Sequence, residues 1–397
     1  MKKSILIVAS SLAMGGLEKS LINLCDNIDY EKYEVDLYLF NEGRDLLPNL
    51  NKNVNLLPDS PLYSTVYNLP FLKSVKTLIK RKKFGLAIYR IKRVIKARFH
   101  LNKFSLSDWR NMKKTMLKID KHYDAAIGFE EGSSDYFVTE CVKADVKSVW
   151  IHTDIKAIDN NKKLDKKTFN AADYVCTVSY NSKKSLVDLY PEIENKIKVF
   201  NMPSLYDLDK IEEMATEPIE IEKGDFTVVS VGRLVELKGF HLCVGACAKL
   251  IEDGYKVKWY VCGDGDYRSN IEEEIRKYNI KDCFILLGNC ANPYKYINAA
   301  DLCVQASSYE GYPFCVYEEK LLKKAVVVSD IPSHREMITD GVNGIIVNRN
   351  SEDIYFGVKR LMNDRKLLEK AAANPVNNYK SKEETIRDFI ETLEINE

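Results

Sequence analysis

Short apolar runs, parted by polar turns and one-sided apolar stretches, recur along the chain. Residues 5–10 form the first run and a Gly-rich turn at 12–16 follows it. Apolar spacing then predicts a helix over 17–25. Further strand-like runs lie at 35–40, 124–129 (DAAIGF), 148–152 (SVWIH), 174–178 (YVCTV) and 197–200 (IKVF). The pattern breaks at Asn201-Met202-Pro203-Ser204, crosses a polar, acidic stretch at 205–224, and restarts. The second set of strands falls at 226–231, 256–262, 284–287, 302–306, 325–329 and 345–347, with helices expected at 239–253, 266–278, 294–299 and 314–322. Runs that are apolar throughout and alternate with helices read as parallel strands inside β-α units. The expectation is an α/β protein with two doubly wound, Rossmann-like domains, residues 1–202 and 203–380. A polar amphipathic helix follows at 381–397. Such sheets bind ligands beyond the carboxyl ends of their strands, which with two domains places the site in a cleft between them.

Composition narrows the class. A chain of 397 residues that is 45% hydrophobic and 29% charged is globular, not disordered or fibrous. With 59 Lys and Arg against 58 Asp and Glu, a chain-wide nucleic-acid-binding charge is excluded. Ten Cys without a C-x-x-C pair, and five His, argue against a closed zinc site and fit reduced thiols in a cytosolic protein. Met1-Lys2-Lys3 and the apolar residues after it look superficially like a secretory signal. That apolar stretch breaks at Ser10-Ser11 and leads into Gly15-Gly16, so a first buried strand is expected. No run reaches the ~18 apolar residues of a membrane span.

Charge is unevenly spread. Between Lys73 and Lys121 stand 17 Lys and Arg against two acids, a local surplus of 15, which leaves −14 on the rest. Leu72, Val75, Leu78, Ile79, Leu86, Ile91, Val94 and Ile95 recur there at helical spacing. A basic helix with an apolar stripe suits an anionic membrane surface. A solvated face on a packed helix is the plainer alternative. No nucleic-acid-binding motif accompanies the charge.

The candidate chemistry lies mainly in the second half. Gly232-Arg233 ends a strand and Lys238-Gly239 opens the next helix. A planar guanidinium and a mobile ammonium on one loop suit a diphosphate. Downstream, Glu310 and Glu318 stand eight apart across Gly311-Tyr312-Pro313. Pro313 fits the first position of a helix, which would leave N–H groups near Phe314 and Cys315 open to an anion. Carboxylates accept hydrogen bonds from vicinal hydroxyls. Asp264-Gly265-Asp266 follows a strand and reads as a turn rather than a metal-binding D-x-D. Arg268 takes the place of the third glycine of a dinucleotide fingerprint. Cys243 and Cys247, four apart on a helix, read as packed core.

Together these motifs resemble the retaining GT-B glycosyltransferases of the group 1, or family 4, type that build bacterial surface polysaccharides. The residues that carry the resemblance are Gly15-Gly16-Leu17-Glu18, Gly232-Arg233 with Lys238-Gly239, Cys262-Gly263-Asp264-Gly265, Glu310 through Glu318, and Ser329-Asp330 with Glu336 and Asn343-Gly344. It spans nearly the whole chain and is more specific in the second half. The resemblance implies a GT-B fold and a nucleotide-sugar donor, a UDP-sugar, with no metal and no other cofactor. Arg233 and Lys238 would hold the pyrophosphate, and the N–H groups of Phe314 and Cys315 would complete its cradle. Glu318 would bind the ribose and Glu310 the transferred sugar. Gly16 would admit the donor to the N-terminal wall, and His152 would lie by the sugar and acceptor. Glu130 and Glu131, on a neighbouring strand-end loop, could orient the acceptor. That acceptor would be a lipid-linked saccharide or glycan, and residues 73–121 would dock the enzyme on the inner face of the cell membrane from the cytoplasm. The helix at 381–397 would cross back to the N-terminal domain. Glu319, Lys323 and Ala325 depart from the family's Ala, Gly and Pro, and Glu319 could change the local charge near the ribose. A GT-B epimerase or phosphorylase, and a non-catalytic sugar-nucleotide-binding subunit, are the competing readings. The first lacks the expected acidic and histidine equipment, and the intact Arg233, Lys238, Glu310 and Glu318 argue against the last.

Overall fold

The computed structural model describes residues 2–13, 15–99, 104–156, 158, 161–378 and 380–394. The chain forms two compact units, Met1–Leu205 with Ser381–Glu397, and Tyr206–Lys380. Of the basic segment, residues 100–103 lie outside the described residues, as do 395–397 of the expected tail helix.

The first unit is built on seven parallel strands: β1 (Lys3–Ala9), β2 (Tyr33–Leu39), β3 (Val54–Leu56), β4 (His122–Gly128), β5 (Lys143–Ile151), β6 (Tyr174–Thr177) and β7 (Ile197–Val199). Their order is β3-β2-β1-β4-β5-β6-β7. Ile5 pairs with Val35 on one side and Ala125 on the other. Ile5 through Ala9 are fully buried. Such a run needs helices on both faces, which is why it reads as continuous rather than alternating.

The second unit repeats the scheme with six parallel strands: β8 (Phe226–Val231), β9 (Val257–Cys262), β10 (Phe284–Gly288), β11 (Leu302–Gln305), β12 (Ala325–Ser329) and β13 (Ile345–Val347). The order is β10-β9-β8-β11-β12-β13. Separate apolar clusters pack on the two faces, one around Trp259 and Phe240, the other around Tyr317 and Tyr260. Cys243 and Cys247 belong to the first of these and are fully buried.

The division falls between Leu205 and Tyr206, where the sequence suggested a break after residue 202. Met202–Leu205 forms a short, buried 3-10 turn. Asn27 Nδ2 donates to the Leu205 carbonyl at 3.0 Å, and Ser204 Oγ donates to Thr385 Oγ1 at 2.7 Å. Thr385 lies on the helix Lys382–Glu391, which Ser381 caps reciprocally with Glu384. Phe389 of that helix packs toward Trp150, and Lys3 pairs with Glu394 at 2.7 Å.

The basic segment folds into helices Phe71–Lys80, Phe84–Arg98 and Leu106–Lys113. Its apolar positions divide. Leu78 and Leu86 are buried, whereas Leu72, Ile79, Ile91, Val94 and Ile95 face solvent, joined by Phe84, Ile88 and Phe99. Among the described residues, Lys96 pairs with Asp108, Lys113 with Glu140 and Lys121 with Asp36.

Candidate active site

In the second unit the strand order reverses between β8 and β11. Loops leaving two such strands diverge and open a crevice. The chain after β8 turns through Gly232 and Arg233, with the Gly232 N–H held by the Cys262 carbonyl and the Leu234 N–H by the Asp264 carbonyl, each at 3.0 Å. A 3-10 turn, Glu236–Lys238, then delivers Lys238, and Gly239 at φ +71° leads into the helix Phe240–Glu252. A β-carbon on Gly239 would meet the Ala306 carbonyl oxygen at 2.2 Å, so only glycine lets this turn lie against the end of β11.

That close approach brings Lys238 to the loop after β11. Its Nζ lies 2.5 Å from Glu310 Oε1. Ser307 Oγ donates to the same oxygen at 2.6 Å. The Ser307 carbonyl is held in turn by Ser329 Oγ at the end of β12. Burial disfavours the Lys238 charge, yet the Glu310 carboxylate outweighs it and holds the ammonium above its ordinary range. Arg233 is solvent-exposed and makes no ion pair among the described residues, but its charge is close enough to act on Lys238.

The helix Phe314–Leu321 begins at the expected residue and ends one residue short of the expected 322. Pro313 sits before it with ψ at 74°, as the capping residue rather than the first helical one. The Phe314 N–H is already taken by the Tyr312 carbonyl at 3.0 Å. The expectation that Phe314 offers its N–H to an anion is therefore corrected. Among the described residues, Cys315 and Val316 are the ones whose N–H groups are left open at this helix start, as the first turn of a helix requires. Glu318 is buried and accepts from Tyr294 OH at 3.1 Å. Glu319 is fully buried and accepts from Gln305 Nε2 at 2.6 Å, while among the described residues its Oε2 has no partner. Burial, only partly offset by Gln305, raises its carboxyl to about 8.

The structure thus gathers Lys238, Glu310, Cys315 and Glu318 on adjoining loops and one helix of the second unit, with Arg233 beside Lys238. Gly16 and His152 belong to the first unit. Gly16 opens the helix Gly16–Asp26, with Gly15 as an extended cap. His152 directly follows β5, its ring between Phe129 at 4.9 Å and Trp150 at 5.8 Å. It is 8% exposed, and among the described residues neither ring nitrogen has a hydrogen-bond partner within 3.5 Å. Burial lowers its pKa to about 4, against the pull of Glu131, so the ring is neutral at physiological pH.

Sequence reasoning missed Ser307, Tyr294 and His334. His334 is fully buried, with Nδ1 2.8 Å from the Ser329 carbonyl and Nε2 unpartnered, so the proton sits on Nδ1. Its placement comes from tertiary folding, and no local spacing announces it. Asp264 accepts from the Gly265 N–H at 2.8 Å and pairs with Arg268 at 3.5 Å, which makes it part of a turn. Among the described residues, no group of three His, Cys, Asp or Glu converges as metal ligands would.

Residues 210–377 match the family described as Glycosyl transferases group 1. A 4-alpha-N-acetylgalactosaminyltransferase of Campylobacter jejuni, acting on a diphospho-undecaprenol-linked saccharide by its name, is 30% identical over 52% of this chain and 55% of its own. The capsular polysaccharide biosynthesis glycosyltransferase CapM of Staphylococcus aureus is 24% identical over 52% of this chain and 56% of its own. An uncharacterized glycosyltransferase of Methanocaldococcus jannaschii is 28% identical over 44% of each chain. The chain spans about half the length of the curated relatives it matches. Among solved structures, TarM superposes with a TM-score of 0.68 at 14% identity, covering 99% of both chains. HepE of Anabaena in complex with UDP-glucose gives 0.65 at 17% identity, covering 94% of this chain and 93% of its own. The second unit is therefore a group 1 glycosyl transferase domain, and the chain has the GT-B fold of two Rossmann-like units.

Proposed function

We propose that the chain transfers a sugar from a nucleoside diphosphate donor, a UDP-sugar, to a lipid-linked saccharide in the assembly of a surface polysaccharide, with retention of anomeric configuration. The observation that carries this reading is the Lys238–Glu310 pair beside the open helix start at Cys315 and Val316. Cleaving the bond between the anomeric carbon and the diphosphate oxygen builds negative charge on the departing group. A largely enclosed ammonium, a nearby guanidinium and two open N–H groups are the donors such a charge requires, and removing one donor of this kind costs about 3–4 kcal/mol. Arg233 and Lys238 bind and neutralise the diphosphate. Glu310 orients the hydroxyls of the transferred sugar, and Glu318 takes the ribose. The acceptor oxygen attacks the face the diphosphate leaves, and its proton passes to the departing phosphate. His152, neutral and unpartnered, donates to a sugar hydroxyl.

The relatives support a saccharide acceptor by their names. Membrane docking is supported by the basic helices, on which Leu72 is 79% exposed, Phe84 57%, Ile88 54%, Ile95 51% and Phe99 66%. No helix among the described residues is long and apolar enough to cross a membrane. Thermal-shift titration with UDP-, GDP- and ADP-sugars tests the donor. A ligand at 100 times its Kd stabilises by about 2.7 kcal/mol, and stabilisation by none of the three would remove the reading. An NMR spectrum of the product showing the inverted anomer would remove the claim of retention.

A further inference from the structure

The strand β10 slips its register with β9 at Leu287, so that Gly288, at φ +77°, stands opposite Cys262. Glycine takes that left-handed turn without strain, and the loop 289–293 folds onto the end of β9. The Gly263 N–H donates to the Gly288 carbonyl at 2.8 Å, and the Cys290 thiol shares the same oxygen at 3.5 Å. Two free thiols meet there. Cys262, buried at the end of its strand, is hydrogen-bonded to the sulfur of Cys290, which is partly exposed.

No step of the proposed transfer uses these sulfurs, and the two are unlike. The hydrogen bond with Cys262 lowers the Cys290 thiol below its ordinary range, against burial and with help from the Lys295 ammonium. The same bond, then burial, pushes Cys262 up. An accessible sulfur held toward the thiolate beside a protonated second thiol is what an oxidation-sensitive pair needs, one to attack and one to resolve. Cys243 and Cys247 are the contrast: both are fully buried, and burial pushes both thiols up.

The pair lies between loops already described. Beyond Cys290, Asn292 accepts from the Tyr294 N–H at 3.0 Å and donates to the Met214 carbonyl at 2.7 Å. Tyr294 opens the helix Tyr294–Ala299, and its OH holds Glu318. On the other side, the Cys262 carbonyl holds the Gly232 N–H, next to Arg233. We infer that Cys262 and Cys290 form a peroxide-reactive dithiol, which closes to a disulfide and thereby weakens nucleotide binding by the second unit. The thiol chemistry stands by itself, and its effect on binding rests on the donor reading above.

The oxidant is a peroxide. The Cys290 sulfur attacks one peroxide oxygen, the O–O bond breaks and hydroxide leaves, which makes Cys290 a sulfenic acid. The Cys262 sulfur gives its proton to that hydroxide and attacks the Cys290 sulfur. The S–O bond breaks, and the departing oxygen takes up the proton that the Cys290 thiol first released. Two thiols thus lose two electrons and two protons, and hydrogen peroxide becomes two waters. Closing the bond brings the sulfurs from hydrogen-bonding to covalent contact and moves the loop 289–293 toward β9, which draws on the Tyr294 contact with Glu318.

The test is mild oxidation of the full chain with hydrogen peroxide, alkylation of the remaining thiols, and tryptic peptide mass spectrometry. A cross-link between peptides 259–268 and 282–295 is expected, reversed by dithiothreitol. The second peptide also holds Cys283, so the link should survive Cys283→Ser and vanish in Cys290→Ser. Cys290 is partly exposed, so its variant keeps the fold even where Cys262→Ser melts early. UDP titration followed by thermal shift should show binding about tenfold weaker in the oxidised chain, the loss of one hydrogen bond to a charged group, with no effect of peroxide on Cys290→Ser. A link through other cysteines, or oxidation of Cys290 with no link, overturns the dithiol. A link that leaves UDP affinity unchanged overturns its effect on binding. If the link forms and UDP binds neither state, the donor reading fails and the dithiol stands. If UDP binds and no link forms, the reverse holds.

Discussion

Lys238 and Glu310, 72 positions apart in sequence, meet at 2.5 Å with both side chains largely enclosed. The pair is anchored by Ser307 on one side and by the glycine turn at Gly239 on the other, and the proposed reading makes it a charge held in place for the donor's diphosphate.

Lys238→Ala should therefore lower kcat/KM for a nucleotide sugar by about 10²- to 10³-fold, the cost of removing one transition-state donor. Lys238→Arg should not restore it, because a planar fork cannot take the place of a compact ammonium in so close a contact. Steady-state kinetics with the donor identified by thermal shift decide this. A loss smaller than tenfold in Lys238→Ala would sink the assignment.

Much of this arrangement was legible in the sequence, for physical reasons. Strands such as β1 and β12 are buried on both faces, so their residues form unbroken apolar runs. The strand β3, three residues set among polar ones, offers no period to read. The helix Ser351–Asn363 is not among the expected elements, although Ile354, Val358 and Leu361 mark its buried face. The motif loops stood out because glycine, proline and paired charges punctuate them. Pro313 reads from sequence as the first helical residue, because sequence cannot show that its ψ of 74° lies outside the helical region. Ser307, Ser329 and His334 converge only through the pairing of β11 with β12, which no local spacing records.

Glu319 gives a pH prediction with a definite sign. Its carboxyl rises from 4.5 to about 8, by burial first and then by its neighbour Glu318. Between those two values the folded chain holds a proton that the unfolded chain has lost. Stability from this group is thus complete below 4.5 and is lost as pH rises through about 8. Glu319→Gln mimics the neutral acid and should flatten the decline, by up to about 1.4 kcal/mol per pH unit. Urea unfolding of both proteins across that window checks it, and parallel curves would refute a buried neutral acid.

His152 gives the opposite acid-side behaviour. Its folded pKa of about 4 lies below the ordinary 6.5, because burial opposes the charge. In that interval the unfolded chain binds the extra proton, so stability is lost as pH falls from 6.5 toward 4. His152→Asn keeps a polar donor without that titration. It should remove the acid-side slope while lowering kcat with donor KM little changed. Unchanged turnover would separate His152 from the reaction and leave it a buried structural ring.

The helices Phe71–Lys80 and Phe84–Arg98 carry the membrane prediction. Ile88 and Ile95, at 54% and 51% exposure, stand on the same outer side as Phe84 and Phe99. Lys92 and Arg98 lie on the same exposed helix. Each methylene moved from water into acyl chains contributes about 0.8 kcal/mol, and each cation near an anionic surface about 1 kcal/mol. Neither term suffices alone, so binding should need both. Co-sedimentation should show binding to vesicles rich in phosphatidylglycerol and little to pure phosphatidylcholine, weakening as salt screens the charge. Ile88→Asp with Ile95→Asp should abolish it at constant thermal stability, because both side chains already face water in the folded chain. Equal binding to neutral vesicles would show the cations to be idle. Undiminished binding by the double variant would show that the apolar row does not enter the bilayer.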